Sequence, residues 1–141
     1  MSKTFFEITL TYYDYDSEST SNRLKKFTEV IGCYAYNYTE AESIATQWGN
    51  ENIDVDYKIS PIKELDISNI IRSEDETGLW YIVKGIWIDN DSNKPKEYKV
   101  NYLVQDRNPS DAGKRALKIL ESIFFVVRIA DVKETKLSFV C

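Results

Sequence analysis

A pattern that occurs twice constrains the fold of this chain more than any other feature of its sequence. Residues 59–68 and 129–138 share the pattern I-x-x-[IV]-K-E-x-x-[IL]-S, at an offset of 70 residues. Residues 5–16 align with residues 80–91 at an offset of 75, and the aligned blocks keep the same order. Because self-similarity of this kind is typical of duplication, we interpret the 141-residue chain as one unit written twice.

The first copy predicts the order strand, strand, helix, strand. Its opening residues alternate between apolar and polar, which is the period of a strand with one buried face. The apolar positions are Phe6, Ile8, Leu10 and Tyr12. A second strand is predicted over 23–38. Thr39 and Glu42 have the spacing of a capping box, so we expect a helix from Thr39 until Gly-Asn at 49–50 ends it. A third extended segment follows at about 54–71.

The second copy predicts the same order of elements. Strands are expected over 79–89 and 97–105, a helix begins at Ser110, and a last strand lies within 124–140. The helix carries one apolar stripe along its length. The residues of this stripe are Ala112, Ala116, Leu120 and Ile123.

We therefore expect a single α+β domain over residues 1–141, made of two tandem β-β-α-β repeats. The repeats occupy about 4–71 and 79–141, and a polar linker at 72–78 joins them. Neither repeat alone would bury much apolar surface, so we expect the two to pack with approximate two-fold pseudosymmetry. The sheet is expected to be mainly antiparallel and to carry two helices. The sequence leaves open whether the repeats share one sheet.

Several positions of the repeated pattern match those of a known family. They are Phe5 and Phe6, the run from Tyr38 to Glu42, Lys63 and Ile67, Trp80 and Tyr81, and the segment from Val132 to Leu137. In these positions the chain resembles a domain-of-unknown-function family of short phage and mobile-element proteins. The likeness spans nearly the whole chain. It implies a phage or prophage origin, and it supplies neither an activity nor functional residues.

The composition removes the usual residue sets for catalysis. The chain has no histidine, which is the commonest general base and the commonest metal ligand. Its five glycines form no phosphate-binding loop. Of its two cysteines, Cys33 lies in a predicted strand and reads as a buried structural thiol, while Cys141 is expected to be exposed. We predict that the protein is not an enzyme and that it has no catalytic residues and no cofactor.

Two predicted turns are rich in carboxylates. The first contains Asp14, Asp16 and Glu18, and the second contains Asp89, Asp91 and Asn93. Such oxygens suit a hard divalent cation. Asp and Asn, however, favour turns in their own right, so we interpret both segments as turns and predict no metal site.

The most conspicuous candidate for a binding surface is a tyrosine alternation. Tyr34, Tyr36 and Tyr38 are spaced by two, which places all three on one face of the predicted second strand. Their counterparts in the second copy are polar, so this face is expected to be partly exposed. Exposed rings in a row can stack bases or bind a protein. The cations that we assign to this surface are Lys25, Lys26 and Arg107. Cross-strand packing of the same rings is the competing interpretation.

Charge and hydropathy narrow the cellular setting. The formal net charge of −5 argues against non-specific binding to nucleic acid, which needs an electropositive face. No apolar run approaches the length needed to cross a bilayer, and no signal peptide is recognisable. We expect a soluble protein in the cytoplasm of a bacterial host cell, with virion association as an alternative.

Three functions follow as hypotheses. The first is a non-enzymatic, phage-encoded binding protein that acts through a surface on a host or phage protein and forms a homo-oligomer. The second is a binder of nucleotides or single-stranded nucleic acid, including a sponge for signalling nucleotides, that uses the tyrosine strand. The third is an accessory virion protein.

Overall fold

The computed structural model shows a mixed α+β protein with two helices and two sheets of mostly antiparallel strands. The predicted α+β class, with two helices and mainly antiparallel strands, is therefore confirmed. The residues that the structure describes are 2–15, 23–90 and 93–141. Within these ranges, neither helix is long and apolar enough to span a bilayer.

The elements follow one another along the chain as follows: β1 (Thr4–Tyr15), β2 (Leu24–Ala35), α1 (Tyr38–Asn52), β3 (Tyr57–Ile59), β4 (Lys63–Leu65), β5 (Asn69–Ile71), β6 (Leu79–Asp89), β7 (Lys96–Asp106), α2 (Pro109–Glu121), β8 (Val127–Glu134) and β9 (Phe139–Val140). They form two compact units. Unit 1 comprises Met1–Leu65 and Leu137–Cys141, and unit 2 comprises Asp66–Lys136.

Unit 1 contains one sheet with the order β3-β1-β2-β9, and β4 also pairs with β1. The hairpin of β1 and β2 is antiparallel, from Thr4 opposite Ala35 to Tyr15 opposite Leu24. Helix α1 covers the face that the sequence predicts to be buried. Phe6, Ile8 and Leu10 are fully buried there, against Ala41 and Ala45 of the helix. The two alanines allow the helix backbone to approach the sheet closely.

Unit 2 contains a sheet with the order β5-β7-β6-β8. The hairpin of β6 and β7 is antiparallel, and β8 pairs antiparallel with β6 through a register shift between Lys84 and Gly85. Helix α2 lies against this sheet and buries Ala112, Ala116 and Leu120 among the core residues. The predicted apolar stripe is correct up to Leu120, but it does not include Ile123, because α2 ends at Glu121.

Both helices begin one residue earlier than predicted. Asn37 caps α1, and its Oδ1 accepts a hydrogen bond from the Glu40 amide at 2.8 Å. Asn108 caps α2 in the same way, accepting from the Asp111 amide at 2.8 Å. Each asparagine satisfies an amide that the helix leaves unpaired. Asn37 thus replaces the predicted cap at Thr39, and Asn108 caps the helix that was predicted to begin at Ser110.

The predicted third strand of each copy is not continuous. Residues 54–71 form β3, β4 and β5, and Pro61, which has no amide proton to donate, lies between the first two. Residues 124–140 form β8 and β9. In both copies the final short strand pairs parallel: β5 with β7 in unit 2, and β9 with β2 in unit 1.

The boundaries of the compact units consequently differ from those of the predicted repeats. Residues 66–71 belong to unit 2, although they end the predicted first repeat. Residues 137–141 belong to unit 1, although they end the predicted second repeat. The predicted linker at 72–78 is an integral part of unit 2. The buried side chain of Gln105 forms two hydrogen bonds with this segment. It accepts one from the Ser73 amide at 3.3 Å and donates one to the Glu76 carbonyl at 3.1 Å.

Candidate functional site

The predicted row of tyrosines does not lie on one strand. Tyr34 belongs to β2, Tyr36 follows the end of that strand, and Tyr38 is the first residue of α1. The prediction that strand alternation places all three rings on one face is therefore wrong. The physical reason is that Asn37 caps α1, so the helix begins where the prediction continued the strand and its alternation.

Two of the three rings pack on the first strand. Tyr34 meets Phe5 edge to face with ring centroids 5.2 Å apart, and Tyr38 meets Phe6 at 5.0 Å. Phe5 and Phe6 are neighbours on β1 and point to opposite faces, so the two tyrosine rings lie on opposite faces of the sheet. Desolvation raises the pKa of Tyr34, and desolvation together with a hydrogen bond to Glu64 raises the pKa of Tyr38. Both rings thus contact β1, and Tyr38 is 50% exposed.

Tyr36 lies between these two tyrosines along the chain and is also exposed. Its side chain is 47% exposed, and the Lys3 ammonium lies 5.1 Å from the ring centroid. A cation over an aromatic face is a favourable contact, but it involves a lysine that the prediction did not include.

The predicted lysines are not gathered around these rings. Lys25 and Lys26 lie at the opposite end of β2 from Tyr34, roughly 25 Å away at the rise of an extended strand. Arg107 lies in unit 2, where its Nε donates to Asp111 Oδ2 at 2.6 Å. Within unit 1 the two lysines are thus distant from Tyr34, and Arg107 belongs to the other unit.

A cleft of about 530 Å³ in unit 1 combines an exposed ring with lysines. The register places Lys58 beside Thr11 and Lys26 beside Tyr13, on neighbouring strands. Directly opposed residues of a sheet share a face, so both lysine stems flank the Tyr13 side chain on the face away from α1. We call this surface the Tyr13 cleft. Its other lining residues are Thr11, Tyr12, Asp56, Tyr57 and Ser60.

The sequence contained only part of the signal for the Tyr13 cleft. Lys26 lies in the predicted second strand, and Tyr13 directly follows the alternation that ends at Tyr12. Extending that alternation by one residue would have assigned an exposed ring to the polar face. The contribution of Lys58 depends on the pairing of β1 with β3, which is separated from β1 by a helix and is not encoded in any local pattern.

Unit 2 carries a second exposed surface, the apolar loop at residues 123–126, which follows α2. Phe125 is fully exposed, Ile123 is 59% exposed and Val126 is 42% exposed. Phe124, by contrast, turns inward and stacks on Trp87 at a centroid distance of 4.3 Å. Trp87 stacks on Tyr98 at the same distance.

The backbone of the apolar loop is fixed at both ends. The Phe124 amide donates to the Leu120 carbonyl at 2.8 Å, and the Ile88 amide donates to the Val126 carbonyl at 3.0 Å. The Phe124 ring also anchors the loop by stacking on Trp87. The exposed side chains are therefore displayed on an ordered support. The sequence did not indicate this, because Ile123 fits the apolar stripe of the preceding helix.

The carboxylate-rich turns are only partly described. Asp16, Glu18 and Asp91 lie outside the described residues, and Asp14 accepts a hydrogen bond from the Tyr15 amide at 2.8 Å. Within the described ranges, no three side chains of the metal-binding types Cys, Asp and Glu come together. The turn interpretation and the prediction of no metal site stay predictions.

Comparison with known proteins places the chain in one family. No curated protein and no solved structure gave a match. Residues 4–141 match the family described as domain of unknown function DUF4494. This match covers almost the whole chain and includes every helix and strand, in agreement with the resemblance seen in the repeated pattern. The chain therefore belongs to the DUF4494 family.

Proposed function

We propose that this protein is a non-enzymatic binding protein and that the apolar loop is its contact with a host or phage protein. The observation that carries this proposal is Phe125, whose ring is fully exposed between two other exposed apolar side chains. Scattered apolar residues are normal on a surface, whereas adjacent ones mark sites of protein interaction. The partner offers an apolar pocket that accepts the Phe125 ring, since aromatic anchors in pockets dominate interface energies.

The order of the apolar loop favours tight binding. Immobilising a loop on association costs free energy, and a loop that is already fixed avoids most of that cost. The stack of Phe124, Trp87 and Tyr98 and the hydrogen bonds to Leu120 and Val126 supply this order before any partner arrives.

Affinity capture from the host with matched variants tests the proposal. Phe125→Asp is expected to abolish recovery of the partner, because a carboxylate cannot enter an apolar pocket. Leu24→Asp is the control, since Leu24 is also a large exposed apolar residue but lies in unit 1. Equal recovery of the same partner with parent and Phe125→Asp proteins would contradict the proposal. A turnover activity that a single carboxylate substitution abolishes would contradict its non-enzymatic part.

A second candidate function is the binding of a nucleotide or single-stranded nucleic acid in the Tyr13 cleft. Tyr13 is 57% exposed and offers a stacking surface for a base, and Lys26 and Lys58 lie on either side of it to contact phosphates. This cleft contains one of the lysines predicted for such a site, but a different tyrosine.

Fluorescence anisotropy with labelled oligonucleotides and nucleotides at low salt tests this candidate. Binding is expected to weaken at least tenfold in Tyr13→Ala, a loss within the roughly 1–3 kcal/mol that stacking on one ring contributes. It should also weaken with rising salt as phosphate contacts are lost. Tyr36→Ala is the matched control. A loss confined to Tyr36→Ala would assign binding to the predicted tyrosine row instead, and no binding by the parent would remove the candidate.

We further propose that the chain arose by duplication of a β-β-α-β unit related by pseudosymmetry. In support, the parallel pairs Ile31 with Phe139 and Tyr102 with Asn69 fall at corresponding positions of the two copies. We also propose that the protein is of phage origin, that it resides in the cytoplasm of the bacterial host and that it forms a homo-oligomer. Light scattering checks self-association, and mass spectrometry of purified particles distinguishes an accessory virion protein.

A further inference from the structure

The two cysteines of the chain lie side by side in unit 1. Strand β9 runs parallel to β2 with Phe139 beside Ile31 and Val140 beside Gly32. The Cys141 amide donates to the Gly32 carbonyl at 2.9 Å, which continues this register by one residue and brings Cys141 beside Cys33. Opposed residues of neighbouring strands point to the same face, so both thiols lie on one side of the sheet.

The spacing of the strands suits a disulfide. Neighbouring strands lie about 4.8 Å apart, which is within the range of Cα separations that a disulfide spans without backbone movement. The two sulfurs are in hydrogen-bond contact, and this contact together with burial raises the pKa of Cys33. Cys33 therefore stays a thiol next to its neighbour.

The two sulfurs differ in access to solvent. Cys33 is only 1% exposed and belongs to the core cluster that α1 covers. Cys141 is exposed. A dissolved oxidant thus meets Cys141 first, and Cys33 is placed to attack from within the fold.

We propose that Cys33 and Cys141 are a redox pair that closes to a disulfide when the protein meets a peroxide. The Cys141 thiol gives up its proton and attacks one peroxide oxygen, and the O–O bond breaks to give a sulfenic acid; the leaving hydroxide takes up the proton and departs as water. The Cys33 thiol then attacks the Cys141 sulfur, its proton passes to the leaving hydroxyl group, and the S–O bond breaks with release of a second water. Two thiols lose two electrons and two protons in total, and the peroxide gains them.

The disulfide would add a covalent link between a very short strand and its neighbour. Strand β9 has only two residues, and its backbone pairs with β2. The crosslink would close a loop from residue 33 to residue 141 that encloses the whole of unit 2. Loops of this length constrain the unfolded chain strongly, so the oxidised protein is expected to melt roughly 5–15 °C above the reduced one. In a reducing cytoplasm the bond would be reversible.

Thiol labelling and mass spectrometry of the full chain test this inference. Treatment of the reduced protein with hydrogen peroxide is expected to remove both alkylatable thiols together, with a mass loss of two hydrogen atoms and a linked peptide pair containing Cys33 and Cys141. Dithiothreitol should restore both thiols. The melting temperature should rise in the parent and stay unchanged in Cys141→Ser, whose substituted residue is exposed and should not disturb folding.

A different labelling pattern would contradict the proposed redox pair. If Cys33 remains alkylatable in the peroxide-treated, unfolded parent protein while Cys141 gains oxygen or links two chains, the two sulfurs do not form a pair. The Cys33→Ser protein gives the reference pattern for that outcome, because its Cys141 has no neighbouring thiol.

Discussion

Gly49 lies inside α1, where glycine lowers helix stability by about 1 kcal/mol relative to alanine. The sequence predicted it to end the helix, yet α1 continues to Asn52. A Cβ at this position would lie 2.6 Å from Tyr57 Cζ and 2.9 Å from Leu10 Cδ2. The Tyr57 hydroxyl is held in place by donating to the Thr46 carbonyl at 3.0 Å. The glycine is thus required by packing rather than by the end of a helix.

We expect Gly49→Ala to lower the free energy of unfolding by up to about 2 kcal/mol, because overpacking outweighs the gain in helix propensity. Urea denaturation measures the change. Gly113→Ala in α2 is the matched control: a Cβ there would lie 3.2 Å from Val132 Cγ2, and we expect a change below about 1 kcal/mol. A Gly49→Ala protein as stable as the parent would show that Tyr57 moves aside freely.

For single residues, burial could be predicted from the sequence, whereas the end of a strand could not. The burial of Phe6, Ile8 and Leu10 followed from strand alternation, because side chains of a strand point alternately to its two faces. The prediction that three tyrosines share one face of a strand was wrong, because β2 ends at Ala35 and Asn37 caps α1. Asn is as good a cap as Thr, so the spacing of Thr39 and Glu42 alone could not decide where α1 begins.

Helix α2 begins with a small network of charges. Asp111 Oδ2 accepts from Arg107 Nε at 2.6 Å and from Asn108 Nδ2 at 3.1 Å. The hydrogen bond from Arg107 lowers the pKa of Asp111 below its usual range. A carboxylate in the first turn also interacts favourably with the positive end of the helix dipole.

This network predicts a loss of stability in acid. A carboxyl whose pKa is lower in the folded state stabilises the fold above its unfolded pKa of about 4, and this contribution is lost as the pH falls through the lower value. Arg107→Ala is expected to raise the pKa of Asp111 toward its ordinary value in an NMR titration. Lys118→Ala, in the last turn of the same helix, is the control. If both variants shift Asp111 equally, the effect of Arg107 is not a local contact.

Elements formed by neighbouring residues were predictable, and those formed by distant ones were not. The two hairpins and both helices are encoded in periodicity and caps that span fewer than about 30 residues. Strands β5 and β9 are three and two residues long and pair with strands of the opposite predicted copy. So short a segment carries no periodicity, and its partner is selected by the surrounding packing.

Folding of unit 1 requires two segments that are far apart in the sequence. Leu137 and Val140 are buried in unit 1, although the rest of unit 1 ends at Leu65. We therefore expect fragments 1–71 and 72–141, prepared separately, to lack cooperative unfolding by circular dichroism. The first lacks β9 and the second lacks β5. Mixing the two should restore a cooperative transition, whereas a cooperative transition in either fragment alone would contradict this dependence.

The path of the chain out of unit 1 and back again has a consequence during synthesis. A ribosome delivers residues 66–136 before residues 137–141, so unit 2 has its full set of strands while unit 1 still has an open edge along β2. Nascent protein at this stage offers Ile31 and Gly32 as unpaired backbone to any extended segment nearby. Translation that stalls before residue 137 would leave this edge of β2 exposed to chaperones and proteases.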